Sequence, residues 1–273
     1  GLRGTAGTTG IEAGGLMDYE YIDLALDEGT QSATLLLDRA PANLLNIAMV
    51  EEVNDALQSL RGLQWLEVLV VRGANGTFSE GIDLKEHVQK RVQRLLQVYL
   101  RTFETMRMLD VISIAAVEGR AWGAGFELAL GCNLIVATET ASFALPQVSQ
   151  GLIPPVASAI LPRIAPRRRA MEWILTGSEI SARRLEHDGV INRLFSVDAF
   201  DEPLFAFVAE ITGKSGPVLQ LAKRAQFEGY YSSFPQALQS IQSLYLRELL
   251  ALEDAREGPK AYMEGKRPEW KNG

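Results

Sequence analysis

The chain has 273 residues, of which 47% are hydrophobic and 22% charged, a composition that suits one large globular domain and excludes a disordered chain, a collagen-like chain and a coiled-coil rod. With 27 lysines and arginines against 34 aspartates and glutamates, the net charge is −7, so the broad basic field of a nucleic-acid-binding protein is absent and we expect no nucleic-acid partner. Cys132, His87 and His187 are the only cysteine and histidines, which excludes an intrachain disulfide and a metal cluster built from these residues, so any catalysis must use carboxylates, hydroxyls or backbone amides.

The N-terminal residues 1–16 are rich in glycine and threonine and lack the apolar stretch of a secretory signal. We therefore expect a disordered extension there. No segment is long and apolar enough to span a bilayer. The sequence predicts a cytoplasmic protein with no membrane partner.

Strand and helix patterns alternate through the first half of the chain, which predicts an α/β fold with mostly parallel strands. Short apolar or alternating runs predict strands at residues 19–26, 33–37, 68–71, 111–117, 134–137 and 142–144. Apolar residues at helical spacing predict helices at residues 46–60 and 124–132, and a largely helical stretch that allows one break at residues 83–108. Beyond residue 157 the chain is predicted to be almost wholly helical, at residues 166–176, 181–188, 203–212, 217–229 and 235–252.

A first glycine-containing turn, residues 76–86, follows the predicted strand 68–71. Asp83 can cap a helix, with Glu86 three residues later as in a capping box. Gly81 permits an unusual backbone angle just before it, and Ile82 would offer a backbone N–H at the mouth of that helix. A plain loop-to-helix junction explains the same pattern, and this segment alone favours that interpretation.

A second turn, residues 119–128, leaves an apolar strand and enters an apolar helix. No serine, threonine, aspartate or asparagine is present to cap the helix, so its first N–H groups stay free and suit an anion or a developing oxyanion. Glu127 shares a face with Ala124, three residues earlier. A carboxylate among apolar neighbours is costly to bury without a task or a partner. The turn alone leaves open whether Glu127 is catalytic or is paired with an arginine or lysine.

Together, the two turns resemble those of the enoyl-CoA hydratase/isomerase family, the crotonase superfamily. The resemblance extends from about residue 19 to residue 271, and it implies an α/β, crotonase-like fold with a ββα superhelix core in residues 17–205. Residues 206–273 would form a helical C-terminal region that serves oligomerisation and completes the coenzyme A site. Segments that resemble the family's, in the family's order, are residues 40–46, 78–84, 119–128, 141–147, 175–182, 214–217 and 266–268.

By this resemblance, the backbone N–H groups of Ile82 and Ala124 form an oxyanion hole, and Glu127 is the first catalytic glutamate. The family's second catalytic glutamate falls on Gln147, which departs from the hydratase pattern because an amide does not exchange a proton near neutral pH. Gln147 would instead orient a water or line the acyl pocket.

The resemblance also implies an acyl-CoA thioester substrate and no metal or redox cofactor, since the thioester itself accepts the electrons and coenzyme A is part of the substrate. A homotrimer, or a hexamer built as a dimer of trimers, is implied as well. The expected substrate and coenzyme A contacts are Ala42, Leu44, Gly81, Asp83, Leu84, Trp122, Gly123, Pro146 and Lys266.

Three functions remain open from the sequence: hydration of an enoyl- or dienoyl-CoA, isomerisation of a double bond by Glu127 alone, and binding of acyl-CoA without turnover. Retention of Glu127 beside an uncapped helix start argues against the third. Residues 153–159, with two consecutive prolines, resemble the subgroup that hydrates cyclohexa-1,5-diene-1-carbonyl-CoA in anaerobic aromatic degradation. That likeness favours a cyclic substrate.

Overall fold

The computed structural model describes residues 18–272. The extension expected at residues 1–16 lies outside the described residues. Among the helices described, none is both long and apolar enough to cross a membrane. The strands are β1 (Ile22–Asp27), β2 (Ser32–Leu37), β3 (Val68–Gly73), β4 (Ile112–Val117), β5 (Arg120–Trp122), β6 (Leu134–Thr138), β7 (Ser142–Ala144), β8 (Ile180–Ser181) and β9 (Arg193–Phe195). The α-helices are α1 (Ile47–Ser59), α2 (Val92–Met108), α3 (Ala124–Gly131), α4 (Pro155–Ile164), α5 (Arg167–Thr176), α6 (Ala182–His187), α7 (Asp201–Thr212), α8 (Gly216–Tyr231), α9 (Phe234–Arg247) and α10 (Asp254–Met263).

Six strands form one sheet in the order β1-β2-β3-β4-β6-β9. Only β1 and β2 pair antiparallel, and every other neighbouring pair is parallel. Helices connect the parallel strands, as such crossovers require. The expected α/β class with mostly parallel pairing is confirmed.

Side chains of the central strands alternate between two apolar layers. Val68 and Val70 of β3 face a cluster that contains α7 residues, whereas Leu69 and Val71 face the main core. The period-2 geometry of a strand produces this alternation. Burial on both faces explains why these strands read as unbroken apolar runs in the sequence.

A smaller sheet has the order β5-β7-β8, and its strands lie between β4 and β9 in the sequence. Its first strand, β5, is separated from β4 by two residues and from the start of α3 by Gly123 alone. Trp122 of β5 pairs in register with Ala144 of β7. The two segments that the sequence singled out at residues 119–128 and 141–147 are therefore neighbours.

Several predicted boundaries were wrong. The helix predicted at residues 83–108 begins at Val92, and the one predicted at 235–252 ends at Arg247, after which Leu249–Ala251 forms a short 3-10 helix. Strands β5, β8 and β9 were missed, since segments of two or three residues carry little periodicity.

Partly buried polar contacts hold α8 to the segment before β4 and α10 to the last residues of the chain. Lys223 of α8 donates from Nζ to the carbonyls of Leu109 (2.8 Å) and Val111 (2.7 Å). Asp254 accepts hydrogen bonds from the amides of Lys271 and Asn272 near the end of the chain. The boundary expected at residues 205 and 206 falls inside α7, which packs on the large sheet.

Candidate active site

The first glycine-containing segment, residues 78–83, follows β3 and is held from both sides. The amides of Phe78 and Ser79 donate to the Arg120 carbonyl at 3.0 Å. On the other side, Leu45 donates to the Gly81 carbonyl at 2.8 Å and accepts from the Asp83 amide at 2.9 Å. These bonds leave the Ile82 N–H without an acceptor among residues 18–272.

The predicted capping box at Asp83 and Glu86 was wrong. Asp83 accepts the Lys85 amide at 3.1 Å and pairs with the Arg39 guanidinium at 2.9 Å, which stabilises an isolated turn. The Glu86 carboxylate pairs with Arg91 instead of reaching back to the turn. Ile82 is consequently offered by an extended loop and not by a helix mouth.

The second segment, residues 119–128, agrees with the sequence interpretation. Helix α3 begins at Ala124, and its N-cap, Gly123 (φ +52°), provides no side chain to bond the free amides. The Gly123 amide donates to the Ala144 carbonyl, which ties the turn to β7. As the first residue of an uncapped helix, Ala124 presents a free N–H at the positive end of the helix dipole.

Glycines bring the two segments into direct contact. A Cβ placed on Gly125 would lie 2.2 Å from the Ser79 carbonyl oxygen, so no larger residue fits there without a shift. A Cβ placed on Gly81 (φ +109°) would lie 3.5 Å from the Ala124 amide nitrogen. The Ala124 amide therefore lies beside the residue that precedes Ile82.

Glu127 of α3 is 1% exposed and accepts four hydrogen bonds. Its Oε1 accepts the amides of Val156 (2.7 Å) and Ala157 (2.8 Å), at the start of α4. Its Oε2 accepts from Tyr99 Oη at 3.0 Å and from Gln147 Nε2 at 3.4 Å. No arginine or lysine of residues 18–272 pairs with it, so the ion-pair alternative for Glu127 finds no support.

Burial raises the pKa of Glu127 to about 7, and the four hydrogen bonds act in the opposite direction by stabilising the ionised form. Such a carboxyl group exchanges a proton readily near neutral pH, as a general acid or base must. Tyr99 is affected by the same contact: burial, followed by the neighbouring Glu127 charge, raises its pKa well above the usual value. Tyr99 is accordingly a neutral hydrogen-bond donor.

Gln147 lies in the 3-10 helix Pro146–Gln150 and is 8% exposed. Its Nε2 points to Glu127, whereas its Oε1 is buried and accepts no hydrogen bond within the described part of the chain. A buried acceptor without a partner is costly unless a water or a ligand satisfies it. Gln147 thus offers one acceptor beside the Glu127 carboxylate.

These groups border one cavity of about 400 Å³, within the range of small-molecule sites. Of the residues predicted for the site, eight line it: Gly81, Ile82, Leu84, Gly123, Ala124, Glu127, Pro146 and Gln147.

Five other predicted substrate or coenzyme A contacts, Ala42, Leu44, Asp83, Trp122 and Lys266, lie outside its lining. The Ala42 carbonyl accepts the Glu80 amide, Leu44 accepts from Arg39, and Lys266 pairs with the exposed Glu264. Trp122 stacks under the Arg120 guanidinium at 4.7 Å and donates to Ser142. Their role in binding coenzyme A stays a prediction.

Sequence reasoning missed Tyr99 and the amides of Val156 and Ala157. Tyr99 lies on the buried face of α2, where it brings a polar hydroxyl beside the apolar Leu95 and Val98. A hydroxyl on a face predicted to be buried was the signal that the sequence offered. The α4 amides carry no sequence signal, because any residue except proline supplies an N–H. Further lining residues that were not predicted include Glu80, His87, Val92, Leu95, Leu96, Gln150, Gly151, Leu152, Ile153 and Pro155.

Comparisons with known proteins identify the family of the chain. A model of the family described as "Enoyl-CoA hydratase/isomerase" matches residues 30–273. A "Probable enoyl-CoA hydratase" of Rhizobium meliloti (strain 1021) is 30% identical over 259 residues, which cover 94% of this chain and 100% of the relative. The mitochondrial "Enoyl-CoA hydratase domain-containing protein 3" of Danio rerio is 27% identical over 259 residues, 93% of this chain and 89% of that protein.

Solved structures agree as well. The crystal structure of an enoyl-CoA hydratase from Bacillus anthracis superposes with a TM-score of 0.87 at 28% identity, and covers 93% of this chain and 100% of its own. Human enoyl-CoA hydratase domain-containing protein 3 superposes with a TM-score of 0.86 at 26% identity, over 92% of this chain and 100% of the human one. The expected crotonase-like fold with several C-terminal helices is confirmed.

Proposed function

Because the chain belongs to the enoyl-CoA hydratase/isomerase family, we propose that it adds water to the double bond of an enoyl- or dienoyl-CoA thioester, with Glu127 as the group that moves the proton. The thioester oxygen would lie between the N–H groups of Ile82 and Ala124. Both amides are free, both residues border the cavity, and the loops that carry them are in contact. Prearranged donors of this kind favour the enolate over the neutral thioester, and the α3 dipole acts in the same direction.

The free Oε1 of Gln147 is the observation that carries the choice of hydration. A water between Gln147 and Glu127 would donate one proton to Gln147 Oε1 and the other to Glu127 Oε2. Its lone pair would then be directed away from both acceptors, toward the acyl chain. Gln147 needs no proton exchange for this task, so its replacement of a second glutamate is compatible with hydration.

The proposed reaction uses one carboxylate twice. Glu127 takes a proton from the water while the water oxygen bonds to Cβ of the acyl chain, and the electrons of the double bond move to the thioester oxygen as an enolate. The carbonyl then reforms as Glu127 returns the same proton to Cα. The sum is one water added across one double bond, and Glu127 ends ionised as it began.

A cyclic dienoyl substrate is the more specific form of this proposal. Its support is the segment at residues 153–159, whose Val156 and Ala157 amides bind Glu127 and whose Ile153 and Pro155 border the cavity. The segment that resembles the cyclic-substrate subgroup therefore borders the cavity and contacts Glu127.

Double-bond isomerisation is a second candidate, favoured by the presence of one carboxylate with a pKa near neutrality. Glu127 would remove a proton from Cα of a 3-enoyl-CoA, leaving a dienolate in the same oxyanion site, and return it at Cγ. This reaction would leave the free oxygen of Gln147 unused, which is why we place it second.

The test is a panel of linear 2-enoyl-, cyclic dienoyl- and linear 3-enoyl-CoA thioesters in ¹⁸O-labelled water, with products identified by mass spectrometry. We expect ¹⁸O in a hydroxyacyl product and a loss of about 10²–10⁴-fold in rate for Glu127→Gln. Glu67→Gln is the matched control, since Glu67 is a second buried glutamate whose pKa burial raises to about 7, outside the cavity. That variant should retain full activity.

Other outcomes would replace the proposal. An isomerised product without ¹⁸O would identify an isomerase. Binding of every thioester without turnover, unchanged in Glu127→Gln, would identify an acyl-CoA-binding protein instead of an enzyme.

A further inference from the structure

Tyr99 approaches Glu127 from α2 and is buried beside the cavity. Its hydroxyl lies 3.0 Å from Glu127 Oε2 and 3.3 Å from the Ala124 carbonyl oxygen. The ring of Phe103 packs edge-on against it at a centroid distance of 5.0 Å, which fixes the plane of the phenol. The hydroxyl therefore has two acceptors on α3 within reach and little freedom apart from rotation of its O–H bond.

One proton cannot serve two acceptors fully, so the charge of Glu127 decides between them. An ionised carboxylate is the stronger acceptor and holds the phenolic proton. Once a proton is bound at Oε2, that oxygen is itself a donor, and the Ala124 carbonyl becomes the better acceptor for Tyr99. Rotation of the O–H bond suffices for the exchange, because hydroxyl protons rotate to suit their partners.

We propose that Tyr99 is a positioning residue whose single hydroxyl proton follows the charge of Glu127, bound to Oε2 while the carboxylate is ionised and turned to the Ala124 carbonyl once Glu127 has taken a proton. The inference rests on the proposed role of Glu127 as the proton-transfer group. It goes further by assigning that role to one oxygen, Oε2, and by naming the donor that adjusts as the proton arrives.

The two oxygens of Glu127 have different surroundings. The Oε1 atom is held by two rigid backbone amides of α4, which donate whatever the charge of the carboxyl group. The Oε2 atom is held by two side chains, Tyr99 and Gln147, that can reorient. The proton is expected at Oε2, because its partners can give up their bonds to it without moving the backbone.

Few other charges face this pair. Apart from Glu127 itself, α3 and the 3-10 helix of Gln147 carry no ionisable side chain, and the buried face of α1 against α2 is uncharged. Arg163 of α4 donates to the Ala159 carbonyl at the exposed end of its helix. Glu80, which pairs with Arg120, and His87 border the cavity without a hydrogen bond to Glu127. A titration near pH 7 that disappears in Glu127→Gln can thus be assigned to Glu127.

The test is Tyr99→Phe, which keeps the ring and removes the hydroxyl. The infrared carboxyl band of Glu127 is measured against pH without substrate. It is obtained by subtracting the spectrum of Glu127→Gln from that of the wild type, and the spectrum of the double variant from that of Tyr99→Phe. Loss of a hydrogen bond to the ionised form should raise the midpoint by about one to two pH units. The acid limb of kcat/KM should move by the same amount, since Glu127 must be ionised to accept the proton.

Tyr19→Phe is the matched control, because Tyr19 also donates to a carboxylate, Asp55, at 3.0 Å but at the surface. It should leave both midpoints unchanged. A second variant carries 3-fluorotyrosine at position 99, whose more acidic hydroxyl is a stronger donor. It should move the Glu127 midpoint to lower pH, opposite to Tyr99→Phe.

A purely structural role for Tyr99 would not give two shifts of opposite sign. Midpoints of both variants equal to that of the wild type would overturn the inference, as would shifts in the same direction. The infrared midpoint needs no turnover, so it tests Tyr99 even if every thioester in the panel proves inert and the proposed function fails.

Discussion

At the scale of single residues, the proposed proton-transfer group, Glu127, acts against stability when it is ionised. Burial raises the pKa of Glu127 to about 7, above the value of 4.5 usual for an exposed glutamate. The folded state therefore prefers the protonated form. The stability that this preference contributes is fully present below about pH 4.5 and is lost as the pH rises through about 7. Near neutral pH the enzyme ionises a carboxyl group that its fold would keep neutral.

Glu127→Gln should remove this pH dependence. We expect the melting temperature of the variant, relative to the wild type, to be higher at pH 8 than at pH 5, because glutamine has no charge to bury. Differential scanning calorimetry at the two pH values measures the difference. Glu67→Gln should show the same trend, since burial also raises the pKa of Glu67 to about 7. If the melting temperature of Glu127→Gln differed from that of the wild type by the same amount at pH 5 and at pH 8, the prediction would be contradicted.

Residues that act through a local motif could be found from sequence, and residues brought in by packing could not. Glu127 and Gly123 belong to one short turn, so their neighbourhood is encoded within ten residues. Tyr99 reaches Glu127 from 28 positions away. That contact depends on how α2 packs against α3, which periodicity does not determine.

At the scale of elements, the site depends on the close approach of two loops. A Cβ at Gly125 would lie 2.2 Å from the Ser79 carbonyl oxygen, so Gly125→Ala must push the loop of Ile82 away from α3. We expect a loss of about 1–3 kcal/mol in the free energy of unfolding and of about 10²-fold in kcat/KM, as for a misplacement of about 1 Å. Chemical denaturation and initial rates measure the two effects.

Gly229→Ala is the control for this prediction. Gly229 lies in α8 with nothing within 4 Å of an added Cβ, so alanine should be neutral or stabilise the helix by up to about 1 kcal/mol. A Gly125→Ala variant with wild-type stability and activity would mean that the separation of the two loops does not matter.

The element most clearly mispredicted is the helix expected to start at Asp83. Asp83 and Glu86 are of the residue types that form a capping box. In the folded chain they instead form ion pairs with Arg39 and Arg91. Arg39 is 44 residues from Asp83 in the chain. A tertiary ion pair therefore overrode a local signal, and the helix begins nine residues later, at Val92.

At the scale of the whole molecule, an apolar stripe on the C-terminal helix α9 is exposed. Phe234, Leu238 and Tyr245 lie at helical spacing on α9, and all three are more than half exposed. Contiguous exposed apolar surface commonly marks an interface. The stripe supports the prediction that residues 206–273 assemble the chain into a homotrimer or a dimer of trimers.

We expect light scattering coupled to size exclusion to give the mass of a trimer or a hexamer. Leu238→Glu should lower that mass, because a charge would be buried in the interface, whereas Gln239→Glu, a change at an exposed neighbouring position on the same helix, should not. A wild-type protein that is monomeric at micromolar concentration would contradict the prediction.

At this scale, the sequence indicated the class and order of most elements, because apolar runs buried on both faces and long amphipathic helices carry strong patterns. How α8 binds the segment before β4, and how α10 binds the end of the chain, was not predictable. Lys223 and Asp254 bind backbone groups more than 100 and about 17 residues away, respectively, and backbone groups are the same at every position.

Glu127, the proposed proton-transfer group, also anchors the start of α4 through the amides of Val156 and Ala157. Pro155, the first residue of α4, and Ile153, two residues earlier, form part of the cavity wall. The size of the cavity and the pKa of Glu127 are consequently coupled. We expect that a substitution that widens the cavity at this wall will also shift the pKa of Glu127. A design that copies this site into another protein must include the start of α4 as well as the loops of Ile82 and Ala124. Without the two α4 amides, we expect the transferred glutamate to titrate at a different pH.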